Sequence, residues 1–239
     1  MLINAVMPVR DRPQQTMKCI PYITGGDCRL TIVDDTSQAY TVGVLDAFQS
    51  LWPQHVHVVH NTENLGVGGS KNRGVEESEK RFGRGDYLYF SDNDVLFEPY
   101  WIEKLIAAYE VHSKENRFRI IGGYAHPYNG TNESFVANHP GNLYNGQNEI
   151  TVHEKNAVDG LSWLLKWDTW DRYGKLMDNA RGVRQSEDWE YCQRIIKDGY
   201  RVGVVYPHVV INNGIVDTFG ERIPGADQVE AIEKARMPA

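Results

Sequence analysis

Short apolar runs alternate with stretches of helical periodicity from Leu2 to Ile121, and few architectures accept that rhythm. Leu2–Met7, Leu30–Val33, His55–His60, Tyr87–Phe90 and Phe118–Ile121 read as strands. Between them, a segment from Pro13, a group of Val44, Leu45, Phe48 and Leu51, a stretch opened by Gly66, and a group of Trp101, Ile102, Leu105, Ile106 and Tyr109 read as helices. Strands joined through helices pair in parallel, because a parallel pair needs a long crossover. The expected fold is therefore α/β and Rossmann-like, with a mostly parallel central sheet and helices on both faces.

The rhythm breaks after Gly122. Tyr124 to Asn148 is rich in Asn, Gly, Pro and His and reads as a long functional loop. Leu161–Lys166 reads as a strand and Trp167–Tyr173 as a short helix. Ser186 is placed to cap a helix with Trp189, Cys192, Ile195 and Ile196 on one face, stopped by Gly199. Tyr200–Tyr206 and His208–Ile211 read as closing strands. No repeat or linker interrupts the chain, which points to one domain over 1–239. It divides into a lobe over 1–123, a lobe over 124–211 and a weakly patterned tail over 212–239.

Composition sets outer bounds. With 41% hydrophobic and 24% charged residues, the 239-residue chain has an ordinary globular make-up. No apolar run approaches the ~20 residues of a membrane span, and no signal peptide is evident at the N-terminus. Cys19, Cys28 and Cys192 form neither a metal spacing nor a disulfide framework, which fits a reducing cytoplasm. A net charge of −7 argues against a general nucleic-acid surface.

The chemistry concentrates at strand ends. The run Tyr87–Phe90 leads into Asp92-Asn93-Asp94, at the carboxyl end of a central strand, where open α/β sheets place ligands. Two carboxylates at i and i+2 suit one hard cation with oxygen positions left for phosphate, although the same residues suit a plain turn. Asp34 and Asp35 end the second strand; a carboxylate there can accept from a base N–H or a ribose hydroxyl. Asn61 to Gly74 is glycine-rich but matches neither a Walker loop nor a dinucleotide fingerprint. Lys71 and Arg73 add positive charge near its helix start, or simply form a solvated face. Glu187 and Asp188 lie in the first turn of a helix, which favours their ionised forms and suits a general base. His208 is a ligand candidate only where the fold brings it beside Asp94. Trp163, Trp167 and Trp170 offer faces for sugar stacking, with the core as the plainer destination.

Taken together, these pieces resemble the nucleotide-sugar glycosyltransferases of the GT-A fold, specifically family 2, from about Leu2 to Ile211. Asp34-Asp35-Thr36-Ser37 resembles the family's DDxS stretch. Asn64-Leu65-Gly66 with Lys71-Asn72 resembles its NxG…RN segment, and Asp92-Asn93-Asp94 its DxD motif. Glu187-Asp188-Trp189, Arg194 and Gly199-Tyr200 resemble its EDxxxxxR…GY helix. Lys71 stands where the family often has Arg, so a bidentate or stacked contact to the nucleotide is in doubt.

The resemblance implies a donor that is a nucleoside-diphosphate sugar, above all a UDP-sugar, and a divalent cation, Mn²⁺ or Mg²⁺. It implies inverting transfer to an acceptor hydroxyl. Asp35, with Asp34, would contact the base, and Asp92 the ribose and diphosphate. Pro8, Arg10, Asn64, Gly66, Lys71 and Asn93 would complete the nucleotide-sugar site. Asp94, with Asp92 and His208, would hold the metal. Asp188 would be the base, with Glu187 and Trp163 on the acceptor side.

Three other readings remain open on the residues alone. Leu88–Leu96 also resembles the nucleophile motif of haloacid-dehalogenase-like phosphatases, with Asp92 phosphorylated. A non-catalytic nucleotide-sugar binding module would carry the same motifs. A nucleotidyltransferase would normally have a glycine- and lysine-rich loop after its first strand, and Pro8–Pro13 contains no glycine.

Overall fold

A computed structural model describes residues 1–124, 132–138, 149–177 and 187–212. Strands β1 (Ile3–Val9), β2 (Cys28–Asp34), β3 (Val56–His60) and β4 (Tyr87–Ser91) are separated by helices α1 (Pro13–Ile23), α2 (Ala39–Leu51) and α3 (Gly66–Phe82). A short β5 (Val95–Phe97), α4 (Trp101–Glu115) and β6 (Phe118–Gly122) follow. Then come β7 (Ser134–Asn138), β8 (Glu149–Lys155), β9 (Ser162–Leu165), α5 (Trp167–Tyr173), α6 (Glu187–Lys197), β10 (Arg201–Tyr206) and β11 (Val210–Asn212).

One nine-stranded sheet runs in the order β3-β2-β1-β4-β9-β6-β10-β8-β7, and β5 pairs with β11 in a small second sheet. The pairs β2–β3, β1–β2, β1–β4 and β6–β10 are parallel. Strand β9 lies antiparallel between β4 and β6, with Ser91 opposite Ser162, so a strand from the second half of the chain completes the first half's sheet.

Period-two side-chain alternation sorts the apolar residues onto two faces. On β4, Tyr87 and Tyr89 join one core with Cys19 and Ile20 of α1, Leu45 of α2 and Leu105 of α4. Leu88 and Phe90 join the other with Val75 of α3, Trp170 of α5 and Tyr191 of α6. Both faces of the sheet are thus covered, as the alternating rhythm predicts. Among the described residues, no helix is long and apolar enough to cross a membrane.

Several boundaries differ from those read in the sequence. Strand β1 runs through Pro8 to Val9. The Val9 carbonyl faces β2 and accepts from Asp35 N, so Pro8 faces the β4 side, where pairing ends at Val6, and its missing N–H breaks no ladder bond. The expected long loop contains β7, and β8 follows it, although Ile150 and Val152 alternate inward with polar neighbours as a strand requires. On α6 the buried face is Glu187, Tyr191, Cys192 and Ile195, whereas Trp189 is 45% exposed. Ser186, expected as the cap of α6, and the tail from 213 lie outside the described residues.

Candidate active site

The site forms beyond the carboxyl ends of β1, β2 and β4. Asp92 leaves β4, and its backbone N–H donates to Leu161 O just before β9. That pairing places Gly160 beside the Asp92 turn, and the N-terminus of α6 delivers Glu187 and Asp188 to the same place.

Lys71 is the centre of this group. Its side chain is 1% exposed, and Nζ donates to Gly160 O at 2.8 Å. Asp92 Oδ1 and Glu187 Oε1 each lie 3.5 Å from that ammonium, and the Trp163 ring centroid lies 5.9 Å away. Burial works against the charged form. The carboxylates of Asp92, Glu187 and Asp188 outweigh it, so the Lys71 pKa lies above the ordinary lysine value. Burial is likewise the leading cause that raises Glu187, against the pull of Lys71. The solvated face proposed for Lys71 is therefore replaced by a buried ion cluster. Helix α3 presses its glycines against the protein, where a side chain at Gly74 would collide with Val6.

Asp188 is half-buried. Its Oδ2 accepts from Gly160 N at 2.9 Å and its Oδ1 from Trp189 N at 2.7 Å. Both oxygens are held by backbone donors and each keeps a lone pair.

Asp92 and Asp94 form a second acidic pair. At 3.5 Å the Lys71 contact is long for a hydrogen bond, and Asp92 Oδ1 is buried with no hydrogen-bond donor. Burial first, then the Asp92 charge, pushes Asp94 up to about 6. Arg12 forms an ion pair with Asp94, an association the sequence reading missed. Its signal was position: Arg12 lies in the loop after β1, on the same carboxyl edge. Two hard oxygen donors, one of them with an oxygen that no hydrogen bond satisfies, fit a divalent cation. Among the described residues, no group of three or more His, Cys, Asp or Glu side chains is gathered for a metal.

His208 does not complete such a group. The register sets Val210 opposite Phe97 and Asn212 opposite Val95, which carries His208 away from Asp94 along the ladder. Its ring packs on Tyr124 at 5.2 Å, and burial, then Lys155 and His153, lowers its pKa.

Other expected contacts turn inward. Asp35 Oδ1 accepts from Asn61 Nδ2 and Leu65 N, both at 2.8 Å, and Oδ2 from Gly66 N at 3.0 Å. Asp35 thus caps the start of α3, where unpaired N–H groups need an acceptor. Asp34 accepts from Ser37 N and pairs with His60 Nδ1 at 2.9 Å. Asn64 Oδ1 accepts from Gly66 N, and Asn93 Nδ2 donates to Asp11 O and Thr16 Oγ1. Asn93 thereby fastens the turn after β4 to the start of α1. Arg73 bonds His60 O and Asn61 Oδ1, and Arg10 is exposed just past β1.

Trp163 is 1% exposed; its Nε1 donates to Val158 O, and it packs on Phe90 and Tyr191. Trp167 and Trp170 are also buried. All three tryptophans belong to the core, so Trp163 presents no face to an acceptor.

The mostly parallel sheet with helices around it is the GT-A fold, and solved glycosyltransferases share it. A mannosyltransferase from Pyrobaculum calidifontis, solved with GDP-mannose and Mn²⁺, superposes at a TM-score of 0.56 with 15% identity, covering 84% of this chain and 56% of its own. GalNAc-T7, solved with UDP, GalNAc and Mn²⁺, gives 0.63 and 15%, covering 94% and 44% respectively. TarS residues 1–349 from S. aureus give 0.57 and 13%, covering 88% and 59%. The chain therefore spans about half the length of these neighbours. No curated protein sequence matches significantly.

The chain belongs to glycosyl transferase family 2: the model of that family, Glycosyl transferase family 2, matches residues 5–165. Membership sets aside the phosphatase and nucleotidyltransferase readings of the Asp92 turn.

Proposed function

We propose that this chain is a metal-dependent, inverting glycosyltransferase that moves a sugar from a nucleoside-diphosphate sugar, a UDP-sugar foremost, to an acceptor hydroxyl. One observation carries the reading: Asp92, Glu187 and Asp188, from two distant parts of the chain, gather around the single Lys71 ammonium. The neighbours solved with GDP-mannose or UDP and Mn²⁺ support the donor class.

In this reading Asp92 and Asp94 hold the cation and the diphosphate side of the donor. The cation, when bound, supplies positive charge to the departing diphosphate. Arg12 and Arg10 border the same edge and attract the phosphates. Asp188 takes the proton from the acceptor hydroxyl as its oxygen attacks the anomeric carbon, from the face opposite the leaving diphosphate. The attack inverts the anomeric centre, and no covalent enzyme intermediate forms. Residues 1–123 supply the donor side, and residues 124–211 the base and the acceptor side.

The test is a thermal-shift panel of UDP, GDP and CDP with and without Mn²⁺, on the wild type and Asp94→Ala. A ligand that binds only the folded state raises the melting temperature. The expected result is a Mn²⁺-dependent shift with UDP that disappears in Asp94→Ala. An equal shift in both proteins overturns the metal assignment. Shifts with none of the nucleotides overturn the donor class.

A further inference from the structure

We infer that Lys71 and the Gly160 peptide form a positioning element for the Asp188 carboxylate, and that Lys71 is not a phosphate contact. The inference rests on the assignment of Asp188 as base.

The Gly160 peptide is bonded at both ends. Its carbonyl accepts from Lys71 Nζ at 2.8 Å, and its N–H donates to Asp188 Oδ2 at 2.9 Å. A cation on the carbonyl polarises the peptide and strengthens its N–H as a donor, because linked hydrogen bonds reinforce one another. Asp188 Oδ1 is held by Trp189 N at 2.7 Å. The carboxylate is therefore fixed by donors from two separate elements, the β9 approach and α6. That arrangement sets the direction of its remaining lone pairs.

A side chain at position 160 would displace the Lys71 ammonium. A Cβ there would stand 2.8 Å from Lys71 Nζ, 3.4 Å from Asp188 Cβ and 3.5 Å from Glu187 Oε1. Gly160 has no positive φ that demands glycine, so the requirement is the close approach itself.

Lys71 is unavailable to solvent-borne phosphate. The side chain is 1% exposed; Nζ donates to Gly160 O, and Asp92 Oδ1 and Glu187 Oε1 flank it at ion-pair distances of 3.5 Å. Because Asp92 belongs to the donor side and Asp188 to the acceptor side, one ammonium ties the two halves of the site together.

A buried cation that only stabilised the fold would not affect the base selectively, so the experiment is a double-mutant cycle. Gly160→Ala and Lys71→Met are each made in the wild type and in Asp188→Asn. Mn²⁺–UDP affinity is measured by calorimetry. UDP release is measured from UDP-glucose, UDP-galactose and UDP-N-acetylglucosamine, with water and methyl pyranosides as hydroxyl acceptors. The Gly160 amide proton shift gives a readout independent of turnover.

Both single variants are expected to keep Mn²⁺–UDP affinity within about threefold and to lower kcat by about 10²-fold, within the range for losing a positioned base. Neither change is expected to lower the rate further in Asp188→Asn, since residues acting as a unit are non-additive. The Gly160 amide is expected to move upfield in both Lys71→Met and Asp188→Asn. Should Lys71→Met not fold, Gly160→Ala carries the cycle.

A tenfold loss of UDP affinity in Lys71→Met would make Lys71 a phosphate contact and overturn the inference. Equal losses from Gly160→Ala in both backgrounds, with Asp188→Asn itself impaired, overturn the positioning role alone. Full activity in Asp188→Asn overturns the base assignment and the positioning role with it. An amide shift unmoved by Lys71→Met also overturns the inference.

Discussion

Arg12 lays its guanidinium on the Asp94 carboxylate, joining the loop after the first strand to the turn after the fourth. The pairing does not make Asp94 an ordinary surface acid. Burial and the Asp92 charge still push it up to about 6, from 3.8. The folded protein therefore holds this proton more tightly than the unfolded chain does. Stability from this group is greatest below pH ~4 and falls as pH rises through ~6, by about 3 kcal/mol in full and about 1 kcal/mol between pH 5 and 7. Wild type is expected to lose that increment relative to Asp94→Asn over this window, as urea titrations at pH 5, 6 and 7 would read. Mn²⁺–UDP binding is expected to strengthen over the same window, because a cation needs the ionised form. Parallel pH curves for the two proteins would show that Asp94 titrates elsewhere.

Asp188→Asn keeps the shape of the proposed base and removes its basic oxygen. Its oxygen can still accept from Gly160 N, while its NH2 replaces the acceptor of Trp189 N, so the fold is expected to persist with the Trp189 N bond lost. Transfer should fall by about 10²–10⁴-fold while nucleotide affinity changes only a few-fold. Glu187→Gln is expected to do less, since Glu187 is buried against Lys71 and only 9% exposed. The reverse order of effects in steady-state assays would move the base to Glu187.

Trp163 is expected to behave as a core residue. Trp163→Ala should destabilise the protein by about 3–5 kcal/mol, the usual range for emptying a large buried aromatic site. Urea denaturation measures this directly. A stable variant with weakened acceptor use would instead return Trp163 to the acceptor site.

Asp35→Ala removes the acceptor for Leu65 N at the start of α3, and one of the two acceptors of Gly66 N and of Asn61 Nδ2, which keep Asn64 Oδ1 and Ser70 Oγ. The expected loss is about 1–3 kcal/mol of stability, with no change in the preference for UDP over GDP. Altered base preference at unchanged stability would restore Asp35 to the base contact.

The sheet was readable because its evidence is periodic. Tyr87 to Phe90 faces apolar cores on both sides and Leu30 to Val33 is buried throughout, and such runs survive in sequence as largely apolar stretches. Asp92, Asp94, Glu187 and Asp188 were findable from their positions at strand and helix ends. Their partners were not. Asp35 and Asn93 have the composition of ligand contacts, yet each meets a nearer demand, the open N–H groups of α3 or the start of α1. Lys71 looked like surface charge because pairing with acids distant in sequence leaves no local pattern. Gly160 carried no signal either, since its role is set by what surrounds it. Strand β8 did leave a signal, the alternation through Ile150 and Val152, beside a segment whose composition suggested a loop.

The antiparallel insertion of β9 has a consequence for synthesis. As the chain leaves the ribosome, β1 to β4 and both acids of the Asp92 turn emerge first. The outer edge of β4 nevertheless stays unpaired until Ser162–Leu165 arrive, and β6 touches β4 only through that late strand. Such long-range closure is slow and leaves an open edge exposed to other chains in the interval. The nascent protein thus carries Asp92 and Asp94 well before Glu187 and Asp188, and one strand closes the sheet and brings Gly160 to Lys71 together.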